Sequence, residues 1–592
     1  MDKQQAKHNI QEIFENPFER KRFIGFIKNL LNRVEEAPFS YQGQFIPDAY
    51  KGYISSLERI GKFKDGENRI DILTIKLQKE TSLQRARTMQ RNFVAWYLNG
   101  SRGGELKEAA LVAFVSPAET DWRFSLVKMD YKFEQTKTGR MKVMEEFTPA
   151  RRWSFLVGKN ETSHTAQSRL VDILANDEHS PTLEELEQAF DIETVTKEFF
   201  IEYRKLFIRT KEELDKVVKN DAKIRTDFEA KGVNTVDFAK KLLGQIVFLY
   251  FLQKKGWFGV GRDAEWDTGS KHFLRELFEK RHGGYKNFFN DILEPLFYEA
   301  LRVDRSHDDD YYSRFNCKIP FLNGGLFDPI GNNGGYNWVH TDIFLPDSLF
   351  SNKNKTKEGD EGDGILDIFD RYNFTVREDE PLEKEVAIDP ELLGKAYEKF
   401  NAIRPDNFEE YKKALKSGKK GEESKFNKQY GVYYTPREIV HYMCQQSLIN
   451  YLFTECNTPS PLMGEGKGEG VILNEVKNLI PSKEDIETLI HLGEQVSENE
   501  EIALIKEQKI LEGKQKSSDY KLKLPESIRK NAVLIDRKLA DITVCDPAVG
   551  SGAFPVGMMS EIVKARKVLS TFIKEKNLTT YDFKHECIEK SL

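Results

Sequence analysis

Long apolar runs, paired cysteines and a signal-like N-terminus are all missing from this sequence. No apolar stretch approaches the roughly 18 residues that a membrane-spanning helix needs, so we expect no membrane partner. The five cysteines stand far apart without a CxxC pair, which predicts reduced, packed thiols and no structural zinc site. The polar N-terminus lacks the apolar core of a secretory signal, and we therefore expect a cytoplasmic protein.

The sequence also lacks a strong excess of charge of one sign. Its 592 residues include 90 Lys and Arg against 96 Asp and Glu, a formal net charge of -6. Such a balance creates no global field for nucleic acid, so any DNA contact must come from local basic patches or a groove. The length is sufficient for three or four domains, each with its own core.

Changes in periodicity predict three parts along the chain. Residues 1–160 are predicted to form an α/β domain, because helical spacing and strand-like alternation follow each other there. Residues 161–375 are predicted to form a helical connector, in which the apolar stretch 244–253 is too short to span a bilayer and indicates a buried core helix. In the first part the predicted helices are 18–36 and 82–100, and the predicted strands are 69–77, 109–117 and 122–134.

A third part, residues 376–592, begins with the segment EVAIDPELLGKAYEKF, which has the pattern of a capped amphipathic helix. Residues 456–535 are polar and charged, and they predict an irregular and helical insertion. Within it, PSPLMGEGKGEGVILNEVKNL resembles the translation of a short bacterial intergenic repeat. Such an insertion is tolerated on a surface and has no chemical role.

The strongest local signal is ADITVCDPAVGSGAF, in which the β-branched run 542–544 leads to Asp546 and then to a glycine-rich turn and a helix. A strand, turn and helix of this kind build a nucleotide-type site, because the glycines let the backbone approach a ligand and the helix N-terminus offers free amides. The acid, in a turn without lysine, suits a ligand with an ammonium and a sulfonium better than a triphosphate. Taken alone, the glycines also fit a plain turn without a ligand.

A second signal lies upstream, in GVYYTPREIVHYM. Thr435 is placed to cap a helix and Pro436 to occupy its first position, with Arg437 and Glu438 in the opening turn. A well-capped helix without a ligand explains this segment equally well in isolation.

Together these strings resemble known motifs. DPAVGSGAF is similar to the cofactor-binding motif of DNA amino-methyltransferases in its acid, proline, glycines and phenylalanine, and the YYTP segment resembles the motif that precedes it in adenine methyltransferases of the gamma arrangement. LEKEVAIDPELLGKAYEKF, FAKKLLGQIVFLYFLQKKGW and IPFLNGGLFD are similar to segments of large single-chain restriction-modification methylases, the type IIG proteins and their phage-defence relatives. The resemblance covers most of residues 190–592 and, more loosely, the N-terminal domain.

The resemblance implies an α/β protein whose last part opens a Rossmann-like methyltransferase domain. It implies a site-specific adenine-N6 methyltransferase that takes the methyl group from S-adenosylmethionine and acts on a flipped base of double-stranded DNA. Asp546 and the glycines would form the floor of the cofactor site, and Tyr434 and Thr435 its lid. The implied cofactor-binding residues are Tyr434, Thr435, Pro436, Asp546, Pro547, Ala548, Gly550, Ser551 and Gly552.

One departure from the family concerns the catalytic step. The family transfers the methyl group through a later (N/D)PP(Y/F) motif, and this sequence contains no Pro-Pro pair. Asn16-Pro17-Phe18 has a single proline and stands at the wrong end. We therefore expect a truncated chain that is inactive alone and binds S-adenosylmethionine weakly or not at all, because the family's ribose-binding acid would follow Leu592. The alternative is a non-catalytic DNA- or protein-binding fragment.

The N-terminal domain could carry the nuclease of a bifunctional methylase. A nuclease of the PD-(D/E)xK type needs two carboxylates and a lysine around Mg²⁺, and the candidates are Asp48, Asp71, Asp130 and Lys132. Their spacing departs from the usual short hairpin, and acid-x-lysine triplets arise by chance in a chain this charged. The alternatives are a structural domain with solvated charges and a defence methylase without a nuclease.

A basic helix in the same domain is a second candidate for a functional surface. Arg85, Arg87 and Arg91, beside Phe93 and Trp96, could contact phosphates. A solvated helix face explains these residues equally well.

Overall fold

A seven-stranded mixed sheet is the largest element of the computed structural model and confirms the α/β class. The strands of the chain are β1 (Glu35–Gln42), β2 (Ile54–Lys64), β3 (Arg69–Leu77), β4 (Ala109–Val115), β5 (Asp121–Met129), β6 (Phe133–Gln135), β7 (Met141–Val143), β8 (Ala150–Gly158), β9 (Tyr311–Tyr312), β10 (Cys317–Lys318) and β11 (Glu383–Glu385). The large sheet has the order β1-β2-β3-β4-β5-β8-β11, and β6 with β7 and β9 with β10 form two small hairpins.

The structure describes most of the chain. The described residues are 1–79, 82–83, 87–100, 104–129, 131, 133–135, 141–143, 150–322, 324–356, 359–375, 382–390, 394, 400–417, 435–457, 480–511, 522–550, 552–573 and 578–592. Half of the predicted capped helix 385–400 lies outside them, and its predicted start is wrong, because Glu385 ends β11 and Ile388 forms a β-bridge with Phe374. The repeat-like segment 459–479 lies wholly outside the described residues.

The described residues divide into two units. The first comprises Met1–Phe45 and Tyr53–Tyr433, and the second comprises Ile46–Gly52 and Tyr434–Leu592. The helices of the first unit are α1 (Lys3–Phe14), α2 (Arg20–Leu31), α3 (Arg87–Leu98), α4 (His164–Leu174), α5 (Leu183–Ala189), α6 (Ile192–Asn220), α7 (Ala222–Lys231), α8 (Thr235–Lys254), α9 (Phe273–Phe278), α10 (Ile365–Arg371) and α11 (Phe408–Ser417). The domain boundaries at residues 160 and 375 stay a prediction.

Local periodicity correctly predicted the centre of the sheet. β3 has the bounds of the predicted strand 69–77, and β4 and β5 form the predicted antiparallel pair. β1 and β2 were not predicted, because β1 is an edge strand with an exposed, proline-containing sequence and β2 alternates only weakly. β3 and β4 are parallel and are joined through α3, as a crossover connection requires.

The two faces of the sheet differ in character. Trp122 and Phe124 of β5 pack against Phe14 of α1, and Phe124 also packs against Phe26 of α2, with ring centroids 5.6 to 5.7 Å apart in edge or tilted contacts. Alternation along β5 directs Arg123 to the opposite face, where α3 packs across β4, β5 and β8. One face is therefore an aromatic core, and the other buries charge.

Residues 164–254 are largely helical, through α4 to α8, whereas residues 255–364 are mostly turns and loops with the β9–β10 hairpin. The helical connector over residues 161–375 stays a prediction. α8 contains the apolar stretch 244–253, and nearly all of its side chains there are buried, which confirms a core helix. No helix among the described residues is long and apolar enough to cross a membrane.

The second unit is helical in all its described regular structure. Its α-helices are α12 (Arg437–Asn457), α13 (Lys483–Leu511), α14 (Glu526–Lys530), α15 (Ala532–Ala540), α16 (Ala553–Ser570) and α17 (Thr580–Lys590). The predicted strand 542–544 is wrong, because this segment has no strand partner among the described residues. Its Val544 amide donates a hydrogen bond to the Ser591 carbonyl at 2.7 Å.

All five cysteines are free thiols, as the sequence predicted. Cys317, Cys444 and Cys587 are buried and Cys456 is partly buried, which agrees with packing roles. Cys545 is exposed, so the prediction that every cysteine is a packing residue is wrong for this one.

Candidate functional site

The glycine-rich turn before α16 has a backbone that only glycine adopts readily. Gly550 has φ +51° and Gly552 has φ +80°, and both values lie in the left-handed region. A Cβ atom built on Gly552 would meet nothing within 4 Å, and one on Gly550 would meet only the Ala548 carbonyl oxygen at 3.7 Å. The glycines are therefore required by conformation, and the space beside them is open.

The N-terminus of α16 faces the same turn. Gly552 is its N-cap residue, and no side chain of the described residues caps the helix. The first amides of an uncapped helix are donors for an anionic or polar ligand. Turn and helix thus present backbone groups to the open space.

Asp546 supplies the charge of the site. Its Oδ1 accepts a hydrogen bond from the Ala548 amide at 3.0 Å, which fixes the carboxylate over the turn. Its Oδ2 is inaccessible to solvent, and no described residue donates a hydrogen bond to it. A buried, unpaired acceptor costs about 1–3 kcal/mol, so a donor from a bound ligand would stabilise it. A ribose hydroxyl or an ammonium group of S-adenosylmethionine fits this requirement.

The remaining predicted cofactor residues are placed as follows. Thr435 and Pro436 are exposed and directly precede α12, where the Pro436 carbonyl accepts from the Ile439 and Val440 amides. Pro547 and Ala548 are exposed in the turn. Tyr434 and Ser551 lie outside the described residues.

The helices that follow the two motifs pack directly on each other. Gly557 of α16 faces α12, and a Cβ atom at this position would lie 2.6 Å from Cγ1 of Val440. The Cys444 thiol, one turn further along α12, lies 3.8 Å from the Phe554 carbonyl oxygen. The helices that follow the two motifs, α12 and α16, are thus in contact although they lie more than 100 residues apart in sequence.

A buried carboxylate holds the same two helices together. Glu561 of α16 accepts hydrogen bonds from His441 Nδ1 at 2.7 Å and Gln445 Nε2 at 2.9 Å, both on α12. Burial acts to raise the pKa of Glu561, but the hydrogen bonds and Lys564 outweigh it, so the pKa is lowered and the group stays ionised. Sequence reasoning missed these three residues because each is an ordinary polar residue in a helical pattern. A glycine inside a predicted helix, at 557, was the available signal for close packing.

We expect Gly557→Leu to separate α12 from α16. The new side chain has no room beside Val440, and overpacking of this kind costs about 1–3 kcal/mol. Hydrogen–deuterium exchange should show lost protection in both helices. Val556→Leu, which adds one methylene at the neighbouring exposed position, is the matched control and should leave protection unchanged. Equal exchange in the two variants would contradict the close packing.

A second candidate site lies in the first unit, around Asp71 of β3. Its carboxylate is 2% exposed, accepts a hydrogen bond from the Tyr97 hydroxyl at 2.5 Å and lies 3.4 Å from Arg59 Nη1. It borders a cavity of about 490 Å³ that Lys62 and Lys107 also line. Desolvation and the Asp71 charge are the main causes that raise the pKa of Tyr97, so the phenol stays protonated.

The other predicted nuclease residues are not gathered there by the described structure. Asp48 forms an ion pair with Lys51 at 2.5 Å in its own turn. Asp130 and Lys132 lie outside the described residues, and Tyr131 between them donates to the Lys107 carbonyl at 2.8 Å. In the described part of the chain, no three His, Cys, Asp or Glu residues are grouped to hold a metal ion.

The sequence suggested that the arginines of α3 contact phosphates or form a solvated helix face. Both interpretations are wrong for Arg87 and Arg91. The two side chains are buried, since α3 packs across the sheet, and Arg87 lies 3.8 Å from Glu383 and 4.0 Å from Glu385. Phe93 is fully buried and stacks on Trp96 at 5.5 Å. Arg85 lies outside the described residues.

Comparison with known proteins gives one significant relative. The chain is 26% identical over 403 residues to a curated protein of Methanocaldococcus jannaschii that bears the provisional name of a type II restriction enzyme and methyltransferase. The match covers 65% of this chain but only 27% of the length of that relative. No family model matches the chain, and no solved structure matches it. The similarity to restriction-modification proteins predicted from the motifs is thereby confirmed.

Proposed function

We propose that this chain carries the cofactor-binding residues of an S-adenosylmethionine-dependent DNA adenine-N6 methyltransferase of a restriction-modification or phage-defence system. The observation that carries the proposal is the buried, unpaired Oδ2 of Asp546, beside a glycine turn with open space and an uncapped helix N-terminus. The name of the relative supports a methyltransferase within such a system. Double-stranded DNA is the substrate that this role requires.

The preference for adenine is supported by the order of the motifs. The YYTP segment precedes the cofactor motif, as in adenine methyltransferases of the gamma arrangement, and α12 lies against α16 through Val440 and Gly557. Thr435 and Pro436 then stand at the start of α12, at the end of the sequence motif that would close over the methionine end of the cofactor.

The role of the described residues in this proposal is binding rather than methyl transfer. S-adenosylmethionine would supply the electrophilic methyl group. Asp546 would accept a hydrogen bond from the cofactor, and the turn of Gly550 and Gly552 would admit it close to the backbone. The family's (N/D)PP(Y/F) motif is not in this sequence, so no residue of the chain is assigned to hold the adenine amino group.

The proposal predicts weak, saturable binding of S-adenosylmethionine that depends on Asp546. A hydrogen bond to a charged group contributes about 1.5–3 kcal/mol, so Asp546→Ala should reduce the affinity by about tenfold or more. Saturation-transfer NMR detects weak binding, and S-adenosylhomocysteine should compete. Asp541→Ala, at an exposed acid five residues away, is the matched control and should bind like the unchanged chain.

The alkylation rate of the exposed Cys545 thiol gives an independent test of where the ligand binds. Cys545 precedes Asp546, and S-adenosylmethionine should slow its alkylation while leaving that of Cys456 unchanged. Binding that is absent, or equal in Asp546→Ala and Asp541→Ala, would count against the cofactor site.

An N-terminal endonuclease is the second candidate function. It is favoured by the words "restriction enzyme" in the name of the relative and by the position of Asp71 at the cavity. Mg²⁺-dependent cleavage of plasmid DNA, abolished by Asp71→Asn, would establish it. Asparagine keeps the size of the side chain, so the loss of cleavage would report the carboxylate rather than the fold.

A further inference from the structure

The cavity beside Asp71 is rich in positive charge although the whole chain is not. Its lining includes five cationic side chains and three carboxylates, whereas the chain as a whole has a formal net charge of -6. The cationic residues are Arg33, Lys62, Lys64, Arg69 and Lys107, and the carboxylates are those of Glu35, Asp71 and Glu105. This cavity is a local basic patch of the kind that DNA contact requires in an acidic protein.

Strand register places the cations of β2 and β3 together. Lys62 lies opposite Asp71, and Lys64 lies opposite Arg69, on neighbouring antiparallel strands. Lys62 and Lys64 are two residues apart on β2, so they share one face of the sheet, about 7 Å apart along the strand. They form a short row that a chain of phosphates can follow.

Three of the cations are not neutralised within the fold. Arg33, Lys62 and Lys64 make no ion pair within 4 Å and no side-chain hydrogen bond in the described part of the chain. Arg69 differs, because it donates to Glu108 at 3.2 Å. Arg33 and Lys64 are exposed, and Lys62 is partly exposed. Their charges are available to a ligand.

The carboxylates of the cavity are already engaged or lie at its edge. Asp71 is held by Tyr97 and Arg59. Glu105 is highly exposed and lies 3.7 Å from Arg69. Glu35 lies opposite Lys62 on β1 and is exposed to solvent. Glu35 and Asp71 thus lie on the two strands beside Lys62, whereas Lys64 has Arg69 opposite it, so the excess of positive charge lies toward Lys64.

The pKa of Lys107 is lowered by burial and also because other positive charges lie close to it. Burial is the largest cause that lowers its pKa, and Arg59, Lys62 and Arg69 lower it further, while Asp71 acts in the opposite direction. A bound anion would relieve this repulsion. A cavity of about 490 Å³ has room for phosphate groups and their remaining water.

We propose that this cavity anchors phosphate groups of the backbone of duplex DNA through Arg33, Lys62 and Lys64. The identity of the polymer rests on the proposed function, and the site itself rests on the cavity and its charges. Because phosphate contacts carry no sequence information, the site holds DNA of any sequence, and it does so whether or not the first unit cuts.

The test measures the salt dependence of DNA affinity in the full chain. A fluorescein-labelled 25-base-pair duplex is titrated at about 50 to 200 mM KCl, and log affinity is plotted against log salt. Each phosphate contact contributes about 0.9 to the slope, so Lys62→Ala/Lys64→Ala should reduce its magnitude by about 2 and weaken binding to unrelated duplexes alike. Arg33→Ala should reduce the magnitude of the same slope by about 1.

The matched control is Lys219→Ala/Lys223→Ala, which removes two exposed lysines from helical parts of the first unit. An equal loss of slope in the control, or an unchanged slope in Lys62→Ala/Lys64→Ala, would overturn the proposal. Tighter binding of a single-stranded RNA of the same length, lost in the same variant, would overturn the choice of duplex DNA. The S-adenosylmethionine test is separate, so failure of the methyltransferase proposal is distinguishable from failure of this one.

Discussion

Glu385→Gln is expected to lower the free energy of unfolding of the first unit by about 3–5 kcal/mol. Glu385 lies on β11 beneath α3, and its carboxylate accepts a hydrogen bond from the fully buried Arg123 at 3.0 Å and lies 4.0 Å from Arg87. Glutamine keeps the volume and removes the charge. The arginines would then be left in the interior with half of their counter-charge.

The cluster around Glu385 contains three arginines, Arg87, Arg123 and Arg152, facing two carboxylates, Glu383 and Glu385. Arg152 lies 2.7 Å from Glu383, the other carboxylate of β11, and also donates to Gln90 at 3.1 Å. The Nε atoms of Arg87, Arg123 and Arg152 are buried, and no described residue accepts a hydrogen bond from them. Burial lowers the pKa of Arg152 to about 9, so it remains charged at neutral pH. Loss of either carboxylate therefore cannot be compensated from within the cluster.

Tryptophan fluorescence measures this effect selectively. The six tryptophans at 96, 122, 153, 257, 266 and 338 all belong to the first unit. Urea unfolding followed by this signal should show the lower midpoint for Glu385→Gln. Glu36→Gln, which removes an exposed partner of Lys28, is the control and should change stability by less than about 1 kcal/mol. Equal midpoints for both variants would contradict the buried-charge account.

The same cluster gives a pH dependence with a definite sign. The pKa of Glu385 is lowered, because Arg123 and Arg87 outweigh the effect of burial, which alone would raise it. A carboxylate with a lowered folded pKa contributes its full stability above the unfolded pKa of about 4.3, and loses it as pH falls through the folded value. Acid unfolding should therefore be less steep in Glu385→Gln than in the unchanged chain.

What the sequence predicts well is local structure, and the reason is periodicity. β3, β4 and β5 alternate or are continuously apolar, and each was found near its predicted bounds. β11 has only three residues, and it lies in the large sheet through a parallel pairing with β8 more than 200 residues earlier. No local pattern indicates such a partner. Its two glutamates are explained only by the arginines that the fold brings opposite them.

In the candidate cofactor site too, the sequence predicts local structure but not the packing between distant elements. The positive-φ glycines and the helix after them follow from the motif itself, and both are present. The contact between Val440 and Gly557 and the bonds of Glu561 depend on how α12 and α16 pack, which the motif does not specify. The strand expected at 542–544 failed for a related reason, since a strand forms only where a neighbour pairs with it.

Arg566→Met is expected to destabilise the second unit by about 3–5 kcal/mol. Arg566 is buried on α16, and its guanidinium lies 3.0 Å from Asp536 of α15 and 2.9 Å from Glu586 of α17. It also lies 5.0 Å from the ring centroid of Phe583. Methionine fills much of the space but removes the positive charge that faces the carboxylate of Asp536, which is 2% exposed.

This destabilisation should reach the cofactor turn, because α16 begins directly after Gly552. If the helix is folded for a smaller fraction of the time, the apparent affinity for S-adenosylmethionine falls by that fraction. Hydrogen–deuterium exchange over residues 532–592 should show lost protection. The tryptophan signal should not change, since no tryptophan lies in the second unit.

The matched control is Arg537→Met on α15. Its side chain is 81% exposed and lies 3.7 Å from Asp541, so the loss should be below about 1 kcal/mol. A double variant, Arg566→Met/Asp536→Leu, sharpens the test, because it removes the buried charge of Asp536 together with that of Arg566. Glu586, the other acid beside Arg566, keeps Lys590 as a partner at 3.0 Å. It should recover most of the lost protection. If Arg566→Met exchanged like Arg537→Met, or if the double variant were no better than the single one, the ion pair would not be what holds α16 in place.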